Sequence, residues 1–260
     1  MLAWQGYNGI TAGRIDNTDG RCMNAYDFDG TIFYSNCTVG FGLWCLKRHP
    51  SLLFTYGPRV LGSFALYKTG RMPNYRMQRE LFRYLTLIDD FDEQIERYWD
   101  AYESRISPWY LEQKRPDDLI LSSSPSCIIE PIARRLGVHY VATDYDRELG
   151  VLLDNLMYAK EKARYIFDHG FPVIDNFYSD SLSDTPLALC SEKAYLVQNK
   201  GTTIVDWPTL DPKTVARVKK EIDTGWSIHL SEERWSVRKH LPTGGHRRAG
   251  RKPAKGSDPH

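Results

Sequence analysis

The stretch Ala25-Tyr26-Asp27-Phe28-Asp29-Gly30-Thr31-Ile32 decides the reading of this chain. Asp27 and Asp29 are two carboxylates separated by one aromatic residue, and a Gly-Thr turn follows at once. The short run before them can pair as a strand. Residues two apart on a strand point to the same face, and at a strand end they can converge on one point outside the sheet. In an open parallel sheet, ligands bind in the crevice beyond the carboxyl ends of the strands. Two acids there call for a counter-charge, and a divalent cation is the usual one. One acid can then act as a nucleophile while the other moves a proton. Taken alone, an Asp-x-Asp is more often an acidic strand-to-turn junction with no chemistry attached. The rest of the chain changes that balance.

At 260 residues the chain can build one large core, or a core and a smaller module. Its 42% hydrophobic and 26% charged content is ordinary for a globular protein. The net charge of +1 gives no reason to expect nucleic acid as a partner. Five cysteines are scattered without a Cys-x-x-Cys pair, which fits reduced thiols and a cytoplasmic location. The histidines are dispersed, so a zinc site is not expected. No signal peptide is visible before Asn24. The longest apolar stretch, 51–67, carries Pro58 and Arg59 near its middle and is too interrupted to span a bilayer. No stable membrane insertion is expected; contact with a membrane surface is the lesser reading.

Going outward from the acidic junction, residues 1–21 read as a loose leader. From Val39 to Ser107 apolar residues recur at three and four, for example Leu52, Leu53, Tyr56, Val60, Phe64, Leu66 and Tyr67. Pro50, Pro73 and Asp89-Asp90 punctuate this into about four helices. The strand signal returns at Asp118-Leu119-Ile120-Leu121 and ends in a hydroxyl-rich turn, Ser122-Ser123-Ser124-Pro125. A helix stopped by Gly137, a strand over 138–142, a hairpin within 144–158, a helix over 161–169 and a strand over 171–178 follow. A short helix through Leu189 and a final strand, 193–197, complete the pattern, with one amphipathic helix over 212–221 beyond. Alternating strands and helices predict an α/β fold with a parallel sheet. The expected organisation is a core of 22–38 and 117–208, an all-helical insert over 39–116, a helical extension over 209–237 and a basic, disordered tail over 238–260. That tail is read as solvated and without a partner.

Four segments share one placement, at a strand end or the start of the next helix. They carry Asp27 and Asp29; Ser122; Lys162; and Asp180 with Asp184. Singly, each has a plainer explanation: a turn hydroxyl or cap, a solvated lysine, a turn acid. Together, in order, they supply the parts for phosphoryl transfer: a nucleophile, a proton donor, phosphate donors and metal-binding carboxylates.

At these residues the chain resembles the haloacid dehalogenase superfamily. Asp27-Phe28-Asp29-Gly30-Thr31, Leu119-Ile120-Leu121-Ser122, Lys162 and Ser179-Asp180-Ser181-Leu182-Ser183-Asp184 are similar to its four motifs. The resemblance covers about residues 22–200, and the helical insert looks like the C1 cap of the phosphoserine-phosphatase-like branch. It implies a Rossmann-like three-layer α/β/α core, a Mg²⁺ cofactor, and a small-molecule phosphate ester as substrate. Asp27 would attack phosphorus to give an aspartyl-phosphate, and Asp29 would serve as acid and then base. Asp27, the backbone carbonyl of Asp29, and Asp180 would hold Mg²⁺, with Asp184 binding a metal water or orienting its neighbours. Thr31, Ser122, Ser123 and Lys162 would hold the phosphoryl oxygens; Lys160 is a nearby competitor for the third motif.

Two departures bear on the substrate. Phosphoserine phosphatases carry a glutamate nine residues after the nucleophile, where this chain has Asn36. Serines 179, 181 and 183 stand where the branch has glycines and an asparagine in its fourth motif. Both weaken the case for phosphoserine. Arg59, Arg71 and Arg76 are candidates for a second anionic group, and aromatics of the insert for an apolar leaving group. Phosphotransfer to another acceptor and a catalytically idle phospho-ligand binder are the alternative readings. The oligomeric state is left open.

Overall fold

The computed structural model describes residues 23–154, 156–171 and 173–223. The expected leader and basic tail lie outside the described residues. The elements in chain order are β1 (Met23–Tyr26), six helices α1 (Cys37–Arg48), α2 (Ser51–Thr55), α3 (Gly57–Lys68), α4 (Asn74–Phe82), α5 (Phe91–Tyr102) and α6 (Pro108–Gln113), then β2 (Leu119–Pro125) and α7 (Ser126–Leu136). After these come β3 (His139–Thr143), a small hairpin of β4 (Tyr145–Asp146) and β5 (Val151–Leu152), α8 (Lys160–Asp168), β6 (Ile174–Ser179), α9 (Thr185–Ala188), β7 (Lys193–Gln198), β8 (Thr203–Asp206) and α10 (Pro212–Asp223).

The main sheet has the order β3-β2-β1-β6-β7-β8, parallel except for β8. β1 is central and buried along its whole length, so its residues serve two opposite faces. Tyr26 joins a cluster with Ile120 and the α7 isoleucines Ile128, Ile129 and Ile132. Met23 and Ala25 join the other, with Leu119, Leu121, Ile166 of α8 and Leu187 of α9. Helices on both faces of a mostly parallel sheet make the core a three-layer α/β/α Rossmann-like fold. Tyr26, Tyr178 and Tyr195 stand in register on β1, β6 and β7 and stack at 4.9 and 4.8 Å. The chain moves from β1 to β2 on one side and to β6 on the other, so the strand order reverses beside β1. That switch point opens a crevice at the carboxyl ends of β1 and β6.

Every element between β1 and β2 is helical, as the three-four periodicity predicts. The expected breaks occur, and one more at Tyr56, where Pro58 opens α3 and splits α2 from it. Three expectations need correction. Ser122–Pro125 is not a turn: β2 runs through it, with a register shift between Ser122 and Pro125, and α7 begins at Ser126. β7 is not the last strand. Asn199, Lys200 and Gly201 take positive φ and fold β8 back antiparallel; β8 is an exposed edge whose burial does not alternate. Leu53, Phe64 and Leu66, at core-like spacing, face solvent.

Trp99 of α5 fastens the helical segment to the core. It is fully buried, lies edge-on to Phe28 at 5.9 Å and Phe33 at 5.3 Å, and its Nε1–H donates to the Ile128 carbonyl at 3.0 Å. Trp99→Ala leaves a cavity and removes the indole hydrogen bond. It should cost about 3–5 kcal/mol in urea denaturation, and a loss under about 1 kcal/mol would show that this contact is not a fastening point.

Candidate active site

β1 ends at Tyr26, and the Asp27 amide donates to the Tyr178 carbonyl at 2.8 Å, carrying the β1–β6 pairing one residue further. This delivers Asp27 to the switch point beside the loop that follows β6. The chain then turns sharply: the Thr31, Ile32 and Phe33 amides all donate to the Phe28 carbonyl, and the Gly30 amide to Phe33. Gly30 has φ +80°, and a Cβ there would lie 2.8 Å from Cγ of Asp180. A glycine is therefore required twice over, by the backbone and by the carboxylate packed against it.

Lys162, in the first turn of α8, is 2% exposed. Its Nζ donates to Asp27 Oδ1 at 2.6 Å and to Asp184 Oδ2 at 2.7 Å. The ammonium in the site is therefore that of Lys162 rather than of Lys160, its competitor in sequence. Asp184 Oδ2 also accepts from Ser179 Oγ at 2.8 Å. Its Oδ1 is buried with no hydrogen-bond partner among the described residues. Asp180 is exposed, its backbone N–H donates to Thr31 Oγ1 at 2.9 Å, and its carboxyl interacts with that of Asp27. Thr31 is fully buried and reaches Asp27 Oδ2 only at 3.5 Å.

Burial raises the Asp27 carboxyl above the ordinary aspartate range; Lys162 pulls it back, and Asp184 and Asp180 add repulsion. Asp180 is raised by desolvation as well, with Lys162 opposing and Asp184 reinforcing. Burial works against the charge on Lys162, but Asp184 and Asp27 outweigh it and hold the ammonium above the usual lysine value. Two carboxylates thus share one buried ammonium and a third, Asp180, lies within its field, which leaves a surplus of negative charge.

Asp29 is half-buried and turned elsewhere. Its Oδ1 accepts from the Cys37 amide at 2.6 Å, and its Oδ2 from Ser124 Oγ at 2.6 Å and Cys37 Sγ at 3.4 Å. Burial raises its carboxyl, and these donors oppose the rise. A raised carboxyl holds a proton more readily than an ordinary aspartate does. Ser122 is buried, and its Oγ accepts from the Ser124 amide at 3.2 Å. Ser123 is half-buried, and its carbonyl accepts from Thr143 Oγ1 at 2.8 Å.

The structure therefore brings Asp27, Lys162, Asp184, Asp180 and Thr31 together, places Asp29 at the edge of this group, and gives Ser122 and Ser123 backbone partners. Sequence reasoning missed Cys37 and Ser124, which hold Asp29, and Ser179, which holds Asp184. Asn36 is the N-cap of α1, its Oδ1 accepting from the Val39 amide at 2.8 Å. Arg59 is paired with Glu80.

The donor set fits a hard divalent cation. All available donors are oxygens, the acids outnumber the ammonium, and Asp184 Oδ1 has no partner. Among the described residues no three His, Cys, Asp or Glu side chains are grouped so as to hold a metal ion by themselves. Mg²⁺ does not need one; it is commonly held by one or two carboxylates and keeps several waters.

A family model described as haloacid dehalogenase-like hydrolase matches residues 25–189, more than half of the chain, and the chain belongs to that family. Among curated proteins no relative matches. Among solved structures, the chain is similar to a protein of unknown function from Bordetella pertussis Tohama I, with 16% identity and a TM-score of 0.58 over 77% of this chain and 96% of that one. A probable phosphoserine phosphatase from Vibrio cholerae, in unliganded form, aligns with 10% identity and a TM-score of 0.49 over 79% of this chain and 68% of that one. A phosphoserine phosphohydrolase-like protein from Francisella tularensis aligns with 15% identity and a TM-score of 0.43 over 68% and 87%. The first of these likenesses concerns the fold, and agrees with the layers and sheet described above.

Removing the shared ammonium tests the charge balance. Lys162→Ala leaves Asp27 and Asp184 buried without their cation and should cost about 3–5 kcal/mol at neutral pH. Urea denaturation in metal-free buffer measures this; unchanged stability would mean that the two carboxylates do not depend on Lys162.

Proposed function

We propose that this protein is a Mg²⁺-dependent phosphatase that hydrolyses a small-molecule phosphomonoester through an aspartyl-phosphate on Asp27. The observation that carries this reading is the meeting of Asp27, Asp180 and Lys162 at the switch point of the sheet. An anionic nucleophile must approach an anionic ester, and that encounter is repulsive unless cationic groups offset it.

In this reading Asp27 Oδ1 stays on Lys162 while Oδ2, in long contact with Thr31, forms the bond to phosphorus. The ester P–O bond breaks, and Asp29 gives its proton to the departing oxygen. Asp29 then takes a proton from water, the water oxygen attacks phosphorus, and the bond to Asp27 breaks to release inorganic phosphate. Asp27, Asp180 and the Asp29 carbonyl would hold Mg²⁺, which supplies charge neutralisation at the phosphoryl oxygens. Thr31, Ser122, Ser123 and Lys162 are assigned to those oxygens, and Asp184 to holding Lys162 in place.

The helical segment 39–116 acts as the cap over a core of 22–38 and 117–208, in the manner of the phosphoserine-phosphatase-like branch. The substrate in this proposal is not phosphoserine. Asn36 is a neutral amide committed to capping α1, so it has no charge to offer a substrate ammonium.

A panel of phosphate esters assayed with Mg²⁺ tests the activity. Turnover of p-nitrophenyl phosphate or a panel member is expected, with loss on chelation of the metal and recovery on its return. Asp29→Asn should lower kcat by about 10²–10⁴, and Asp27→Asn should remove turnover altogether with unchanged circular dichroism. Tight binding of esters by the unaltered protein without turnover would sink the enzymatic reading. A strong preference for phosphoserine would overturn the assignment of Asn36.

A further inference from the structure

Between Gly30 and Arg79 the chain contains no Asp or Glu and seven Lys or Arg residues. The whole chain nets +1, so positive charge is concentrated in this segment and the remainder is net acidic. The same segment turns large apolar side chains to solvent: Phe54 is 80% exposed and Leu61 72%, and Leu53, Phe64 and Leu66 are exposed as well. Single exposed apolar residues are ordinary; five within fourteen positions of two adjoining helices are not.

The pattern on α3 is inverted for a helix that only packs on its own protein. The positions least exposed are Val60, Ser63 and Tyr67, at helical spacing, and the one fully buried among them is a serine. An exposed stripe, Pro58, Leu61, Phe64 and Ala65, recurs at three and four and runs from the flank of that face, at Phe64, to its back. Leu53 joins it, since its Cδ1 lies 3.5 Å from where a Gly57 Cβ would be. Lys68 ends the stripe with Nζ 5.3 Å from the Phe64 ring centroid, and Arg71 follows, exposed.

We propose that the α2–α3 face docks on an anionic lipid bilayer. Apolar side chains rimmed by cations, with no acid in the segment, match a surface that is negative at the headgroups and apolar beneath. A second copy of the chain is a poorer occupant, because a twofold contact would set this cationic segment against itself. Nucleic acid matches the charge but has no use for exposed Leu and Phe side chains. Among the described residues no helix is long and apolar enough to cross a membrane, so α2 and α3 lie on the surface. This docking is independent of the reaction proposed above.

Co-sedimentation of the full chain with vesicles tests it. Binding is expected to phosphatidylcholine vesicles containing phosphatidylglycerol, but not to phosphatidylcholine alone, and it should weaken as salt rises. Phe54→Ser with Leu61→Ser, and separately Lys68→Glu with Arg71→Glu, should each lower binding at least about tenfold. Both pairs are at the surface, and unchanged circular dichroism confirms that the fold survives. Absence of binding to the anionic vesicles, or binding by either variant as strong as that of the unaltered protein, would overturn the proposal. So would sedimentation equilibrium showing a dimer that the Phe54→Ser, Leu61→Ser variant dissociates, which would assign the face to a second copy.

Discussion

A single buried ammonium shared by two carboxylates holds the site together. Lys162 arrives from α8, Asp27 from β1 and Asp184 from the turn after β6, so three separate parts of the chain close on one charge. None of the three is tolerable there alone, because an unpaired buried charge costs several kcal/mol. The strand order explains why they meet. β1 and β6 are neighbours across the reversal point, and the Asp27 amide extends their pairing to the mouth of the crevice. The two sheet faces and their helices exist, in functional terms, to bring those ends into register.

The loop after β6 shows how a departure from a family pattern is absorbed. Where glycines are usual in the related branch, Ser179 and Ser181 make bonds that fix the loop. Ser179 Oγ donates to Asp184 and accepts from the Ser181 amide at 3.1 Å, and Ser181 Oγ accepts from the Ser183 amide at 3.2 Å. Such side-chain-to-backbone bonds supply turn geometry that glycine supplies by freedom of φ. The flexible solution is retained at Gly30, where a side chain would strike Asp180. Gly201 at the β7–β8 turn is the other such place: its Cβ would meet the Thr31 carbonyl at 2.9 Å, and Trp109 Nε1–H donates to its carbonyl.

Much of this was legible in the chain itself. Asp27, Lys162, Asp180 and Asp184 stand at strand ends or helix starts, and apolar runs and glycine stops mark those positions locally. What stayed hidden depends on tertiary contact. Ser124 sits in a hydroxyl-rich run that reads as a turn, yet β3 pairs with Ser122 and Pro125 on either side of it and β2 continues through it. Cys37 holds Asp29 through its backbone amide, which no side-chain pattern announces. β8 is an exposed edge without alternation, so its signal lies in the turn before it. Leu53, Phe64 and Leu66 follow the spacing of a core face, and periodicity alone does not say whether the surface they meet belongs to the same protein.

The two acids of the Asp-x-Asp differ in what holds them, and the difference follows the architecture. The contacts of Asp27 come from the core or from its own turn: Lys162, Tyr178, Asp180 and Thr31. Asp29 is held between α1 and the sheet, by Cys37 at the start of α1 and by Ser124 on β2. Thr38 of α1 also donates to Ser124 Oγ at 2.8 Å, so α1 reaches Asp29 twice, directly and through that hydroxyl. A shift of α1 relative to β2 would therefore change the surroundings of Asp29 while those of Asp27 stayed as they are. The position of Asp27 is built into the sheet, and that of Asp29 follows α1.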